Sequence, residues 1–232
     1  MRGRGRPAPH LRPPKRVAPD ALFLFPRSPP RSRPVLVLSD MPTALVVRLI
    51  FWLWLGTAFF AGHQLLLQRL PPFGVPAIVL GLSALLLLAY FRLAPVRAWV
   101  DALDLRTLVV LHVTRFVGLY FIVLYRRGLL PYDFAVPGGI GDIIVAVLAL
   151  VVVFAPLADS SRERAIRIWN VLGLVDIALV VLTAARLNLA NPLQMRAMTY
   201  LPLSLLPTFL VPLLIATHVI IHARLTRPTA RP

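Results

Sequence analysis

The sequence predicts an all-α protein whose helices cross a membrane six times. The chain of 232 residues is 58% hydrophobic and only 15% charged, with a mean hydropathy of +0.78. Several apolar runs reach the roughly 20 residues that a helix needs to cross a hydrocarbon layer of about 30 Å. Most of the positive charge lies between these runs, as it does in multi-pass membrane proteins.

The six predicted spans form one transmembrane domain, residues 41–232. They are expected at about 43–67, 73–91, 105–125, 135–155, 163–185 and 205–224. Helix-breaking residues separate them: Pro71 and Pro72 follow the first span, Pro156 closes the fourth, and Asn191 and Pro192 lie in the longest loop. Arg residues are more frequent in the loops assigned to the inside, which predicts that both chain ends face the cytoplasm.

Residues 1–40 have a different composition, dense in Arg and Pro. Such a segment buries too little apolar surface to fold, so we expect a disordered cytoplasmic tail. Its apolar pieces are shorter than the roughly 7–15 residues of a secretory signal. Met41 stands directly before the first span, and an alternative interpretation is that translation begins there and the tail is not made.

The composition also excludes several classes of function. A net charge of +16 would fit nucleic-acid binding in a soluble protein, but the chain has no such motif, and Arg-rich loops meet anionic headgroups equally well. The absence of cysteine excludes disulfides, thiolate catalysis and Cys-ligated metal centres. The loops are short and show no nucleophile beside a base, so we expect no enzymatic activity.

The glycine-rich stretch PGGIGD in the fourth span is not a nucleotide-binding motif. It lacks the Lys and hydroxyl of a phosphate-binding loop, and Ile144 replaces the third glycine of a dinucleotide fingerprint. Gly138, Gly139 and Gly141 form a small-residue surface instead. Such surfaces let membrane helices approach closely, so these glycines are predicted to pack against neighbouring helices.

Three charged residues lie within the spans. At about 1.5 Å of rise per residue, Arg115 and Asp176 come to the same depth, and Asp142 lies slightly closer to the outer face. A charge in the bilayer centre is costly and needs a partner. We therefore predict a buried Arg115–Asp142–Asp176 cluster. Its candidate polar neighbours are His112, Thr114 and Asn170.

Two interpretations of this cluster remain open. Two acids and one base leave one acid in excess, which could carry a proton or bind a small cation, as intramembrane acids do in carriers. The alternative is structural, because polar contacts hold membrane helices together at about 0.6 kcal/mol each. In that case the protein is a structural or assembly subunit that packs, as a homo-oligomer or in a larger complex, within the lipid bilayer.

A third and less favoured function is electron transfer through a b-type haem. His112 and His218 come to matched depths on different spans, as axial haem ligands would. His218 and His222 share one helix face, but the Glu of a zinc-protease motif is missing between them. We therefore predict no metal site and, apart from this alternative, no cofactor.

The last span contains Pro202, Pro207 and Pro212. A proline inside a helix leaves a carbonyl without its donor, and in a membrane that carbonyl must find another partner. We expect a bend near Pro212, with Ser204 or Thr208 satisfying the backbone.

Several segments together, GLLP, FAVPGGIGD, WNVLGLVDI and LPLSLLPTFLVPLLIATH, resemble an uncharacterised family of small bacterial integral membrane proteins. The resemblance covers spans three to six, about half of the chain. It implies a multi-span protein of the bacterial inner membrane, and it implies no activity.

Overall fold

The structure is a computed structural model that describes residues 42–227. In this range the chain is helical and contains no strand, which confirms the predicted all-α fold. We number the helices α1 Thr43–His63, α2 Gly74–Arg92, α3 Ala94–Asp101, α4 Leu105–Arg126, α5 Tyr132–Phe154, α6 Asp159–Ala190 and α7 Leu206–Thr226. Shorter 3₁₀ helices span Leu66–Arg69 and Pro192–Thr199. The predicted tail, residues 1–40, lies outside the described residues.

Six helices, all but α3, are long and apolar enough to cross a membrane. Helix α6 extends beyond the predicted 163–185 at both ends, because polar residues continue the helix where the apolar run has stopped. Helix α1 ends at His63, before the predicted residue 67, because Leu65 adopts a left-handed backbone conformation with φ 54°.

The bundle has two ends, which we name after one residue each. The Pro192 end holds the connections 64–73, 127–131 and 191–205, and the Arg162 end holds the connections 93–104 and 155–158. An apolar cluster lies towards each end: Phe121, Phe134 and Met195 belong to the one at the Pro192 end, and Tyr90 and Ile221 to the other. The polar side chains described below lie between the two clusters.

Arg162 holds the C-terminal end of α5 and is itself buried. Its Nη1 donates to the carbonyls of Val152 and Val153 at 2.8 and 3.1 Å, and its Nη2 donates to those of Ala155 and Leu157 at 3.0 and 3.1 Å. The last carbonyls of a helix have no partner within the helix. This one guanidinium therefore supplies the donors for four backbone carbonyls at the turn between α5 and α6.

Helix α3 is a short helix that the hydropathy pattern did not predict. Asp101 at its end accepts hydrogen bonds from the Tyr90 hydroxyl at 2.8 Å and from Arg227 Nη1 at 2.6 Å. Burial raises the pKa of Asp101, but the bonds from Arg227 and Tyr90 outweigh it and leave the pKa below the ordinary value. These contacts join α2, α3 and the end of α7.

Helix α7 begins with a wider π-helical turn over Leu206–Leu210. Pro212 leaves the carbonyl of Thr208 without its usual donor. Trp54 of α1 supplies a replacement, donating from Nε1 to that carbonyl at 2.9 Å. The Thr208 hydroxyl donates to the carbonyl of Ser204 at 2.6 Å. Thr208 thus bonds to the backbone as predicted, through the Ser204 carbonyl, and a tryptophan on another helix satisfies the carbonyl of Thr208 itself.

Candidate functional site

The site begins with a change in the winding of α4. Over Leu111–Val117 the helix tightens to 3₁₀ geometry. A 3₁₀ helix has three residues per turn, so every third side chain lies on the same face. His112, Arg115 and Gly118 share this face, and all three are buried.

Arg115 lies at the centre of an ion cluster formed by α4, α5 and α6. Its Nε donates to Asp142 Oδ1 at 2.6 Å, its Nη2 donates to Asp176 Oδ2, and its Nη1 donates to the carbonyl of Gly173 at 3.1 Å. The exposed fractions of the side chains are 1% for Arg115, 9% for Asp142 and 20% for Asp176. The structure therefore brings together the three charged residues that the depth estimate selected. We call them the ion triad.

Glycines make room for the ion triad. A Cβ on Gly118 would overlap the carbonyl of Gly139, and a Cβ on Gly139 would lie 2.7 Å from the carbonyl of Gly118, so the backbones of α4 and α5 touch. A Cβ on Gly141 would overlap the Asp176 carboxylate. Gly138 faces Val180 of α6, where a Cβ would lie 3.3 Å from a methyl group. The Asp176 carboxylate thus occupies the space that a side chain at position 141 would fill.

The ion triad carries unequal charge. It contains one guanidinium and two carboxylates, and among residues 42–227 no second cation pairs with either acid. A single carboxylate is enough to neutralise Arg115. The second is an additional anion at a depth where charge is costly, so it needs a proton or another cation to balance it.

An apolar cavity reaches the ion triad. It has a volume of about 90 Å³, and it lies between α2, α4, α5, α6 and α7. Arg115 and Asp142 contribute charged groups to its wall, which otherwise consists mainly of side chains such as Val79, Phe121 and Leu210. An apolar wall with a few polar groups is typical of small-molecule sites in proteins.

A second, more polar cavity with a volume of about 290 Å³ lies at the Pro192 end. The two cavities adjoin, because Val75, Asn188 and Thr199 line both. The Asn188 side-chain amide donates to the carbonyl of Pro72 and joins α6 to the turn before α2 at this junction. The two cavities therefore mark a route from the Pro192 end to the ion triad.

None of the three residues predicted as polar neighbours hydrogen-bonds to the ion triad. Thr114 is exposed and donates to the carbonyl of Leu111 in its own helix. Asn170 and His112 are fully buried one layer closer to the Arg162 end, and their hydrogen bonds go to α7. These two residues belong to a separate polar layer that also contains His218, Thr217 and Trp169.

In this polar layer the imidazoles of His112 and His218 contact each other, with ring centroids 4.1 Å apart and planes inclined by 50°. Axial ligation would put the iron and its porphyrin between the two rings. Rings in direct contact leave no room for a macrocycle, so this pair does not fit a haem. The described part of the chain also contains no group of three or more His, Asp or Glu that could hold a metal ion.

Fold and site together define a multi-pass helical membrane protein with an ion cluster inside the bundle. A family model described as a domain of unknown function, DUF8737, matches residues 72–226, and the chain belongs to this family. The match begins before the second span and so extends further than the resemblance seen in spans three to six. It includes the ion triad and the polar layer. No curated protein and no solved structure matches the chain.

Four residues of these layers were not among the predicted site residues: Gly118, Trp169, Gly173 and Thr217. The two glycines each lie three residues from a charged residue of the ion triad, and Thr217 is next to His218. This spacing was the available signal, since residues three apart share a helix face.

Proposed function

We propose that the protein is a small proton-coupled carrier of the bacterial inner membrane. In this proposal Asp142 and Asp176 accept the proton and Arg115 is their counter-charge. The observation that supports it is the surplus carboxylate of the ion triad. An acid near the bilayer centre costs about 2.5–3.5 kcal/mol on insertion scales, and the second acid is not needed to neutralise the base. A function that loads and unloads this acid accounts for its presence.

The surroundings favour a proton over a metal cation as the partner of the surplus acid. Metal cations of the sodium or calcium type need several oxygen ligands. Here the guanidinium of Arg115 already contacts both carboxylates, and the cavity wall beside them is mainly apolar. A proton needs only one carboxylate oxygen and leaves the bonds from Arg115 in place.

The cavity supports a carrier because it leads to the ion triad from the Pro192 end. Its wall joins that of the second cavity at the Pro192 end, and no residue of the Arg162 end lines either cavity. With both chain ends in the cytoplasm, as the Arg distribution predicts, the Pro192 end faces outside. The apolar wall favours a small and largely apolar cargo.

A pH-jump experiment on a solid-supported membrane tests proton uptake without knowledge of the cargo. Purified protein is reconstituted in liposomes, the pH on one side is changed, and the displaced charge is recorded. The wild type should give a transient current because protons enter a buried site. Asp142→Asn and Asp176→Asn should each abolish it, since either change removes the surplus acid.

Asp133→Asn is the matched control. Asp133 also belongs to an ion pair, with Arg186 at 3.5 Å, but the side chains of both partners are more than 60% exposed. This variant should keep the full current. A wild type with no more current than empty liposomes would reject the carrier. The alternative would then be an assembly subunit in which the ion triad only joins α4, α5 and α6.

A further inference from the structure

We infer that His112 and His218 form a second proton-binding site, which receives the proton from the ion triad and lies between it and the Arg162 end. The inference rests on the proposed function and extends it towards the Arg162 end of the bundle. Both imidazoles are 0% exposed, and each has one ring nitrogen without a hydrogen-bond partner: Nδ1 of His112 and Nε2 of His218.

The hydrogen bonds identify the tautomer of His112. The Thr217 hydroxyl has a single proton, and it lies at donor distance from the carbonyls of Leu213 and Leu214, at 3.0 and 2.9 Å. We assign this proton to the carbonyls of its own helix, so that its oxygen accepts in the 3.1 Å contact with His112 Nε2 and Nε2 carries the hydrogen. Nδ1 of His112 then has a free lone pair.

The same reasoning applies to His218. The side-chain amide of Asn170 donates to the His218 carbonyl at 3.1 Å, which fixes its oxygen as the group facing His218 Nδ1 at 2.8 Å. An amide oxygen only accepts, so Nδ1 carries the hydrogen and Nε2 has the free lone pair. Both imidazoles thus present a nitrogen that can accept a proton.

The His pair lies directly beside the ion triad. His112 is one 3₁₀ turn from Arg115, a rise of roughly 6 Å. His218 packs on Gly173, where a Cβ would lie 2.8 Å from its Nε2, and the Gly173 carbonyl accepts the bond from Arg115.

The net charge of the ion triad and the His pair is zero whether the proton is on a carboxyl group or on an imidazole. Around the pair, the charged groups are Arg115 on α4, Asp142 on α5 and Asp176 on α6. With the proton on a carboxyl group, the ion triad and both imidazoles sum to zero. In the transfer, the O–H bond of the carboxylic acid breaks, an N–H bond forms on one imidazole, and the resulting carboxylate and imidazolium again leave a sum of zero.

The pH-jump recording separates the two sites. The wild type should show a fast component, for uptake by the ion triad, and a slower one, for transfer to the His pair. His112→Gln and His218→Gln should each lose the slow component and keep the fast one. His222→Gln, which changes an exposed histidine one turn further along α7, should keep both. Unchanged slow components in the first two variants would overturn the inference while leaving the carrier in place.

A second measurement does not depend on substituted proteins. Nitrogen-15 NMR of histidine-labelled wild type in nanodiscs should show hydrogen on Nε2 of His112 and on Nδ1 of His218 at neutral pH, each with a bare second nitrogen. The opposite tautomer on either ring would put the hydrogen on the nitrogen that has no hydrogen-bond partner and would refute the second site. If the wild type gave neither current component, the proposed function itself would be rejected.

Discussion

The surplus acid predicts that the two carboxylates of the ion triad are not additive in stability. Asp142→Asn or Asp176→Asn removes one anion and leaves a balanced pair with Arg115, and the amide oxygen still accepts a hydrogen bond. Each single variant should therefore change the free energy of unfolding by no more than about 1 kcal/mol. The double variant leaves a guanidinium that is 1% exposed without an anion. A buried charge that has lost its partner costs about 3–5 kcal/mol.

The assay is reversible unfolding in mixed micelles, followed by circular dichroism, for the wild type, both single variants and the double variant. The coupling between the two sites should be at least about 1 kcal/mol, which is within the range for residues in one network. Asp133→Asn serves as the reference for an exposed ion pair and should cost less than about 1 kcal/mol. Two single variants that each cost about half of the double variant would refute the reasoning, because neither acid would then be in excess.

Two further predictions concern the packing and the ends of the bundle. Gly141→Ala should cost about 1–3 kcal/mol of unfolding free energy, because its Cβ overlaps the Asp176 carboxylate, whereas Gly56→Ala, with open space around it, should be neutral or stabilising in the same assay. A destabilised Gly56→Ala or a neutral Gly141→Ala would contradict this account of the glycine. The contact between Asp101 and Arg227 should stabilise the protein above about pH 4 and be lost as the pH falls through the lowered pKa of Asp101. The stability difference between wild type and Asp101→Asn should therefore shrink below that pH. A difference that grows there would contradict the lowered pKa of Asp101.

The number of spans and the ion triad could both be predicted from the sequence because they depend on position along the helix axis. Apolar length sets the number of spans. Depth along the axis brought Arg115 and Asp176 to one level, and a long guanidinium tolerates the offset of Asp142. These estimates use only the rise per residue, which varies little among helices.

The polar neighbours could not be predicted, because they depend on rotation about the helix axis. Thr114 is next to Arg115 in the sequence, yet adjacent residues of a helix point in different directions, and its side chain is exposed. His112 shares the face of Arg115 because α4 tightens locally to three residues per turn. Hydropathy contains no signal for that change in winding.

Helix α3 and the extra length of α6 were missed for another reason. These segments mix charged and apolar residues, so they lie below any threshold for membrane-spanning hydropathy. Their helices are held by specific bonds, such as those from Arg227 to Asp101 and from Arg162 to the end of α5. Such partners lie far apart in sequence and become visible only in the folded chain.

The most direct test of the central claim is to count the protonated carboxyl groups of the ion triad by infrared spectroscopy. The protein is held at neutral pH in a buffer whose only cation is large and organic, so that no small metal ion can balance the surplus acid. The wild type should show a carboxylic C=O band that shifts on deuteration and is absent from both Asp142→Asn and Asp176→Asn. A wild type without that band, with both acids ionised under these conditions, would contradict the claim that the ion triad holds a proton.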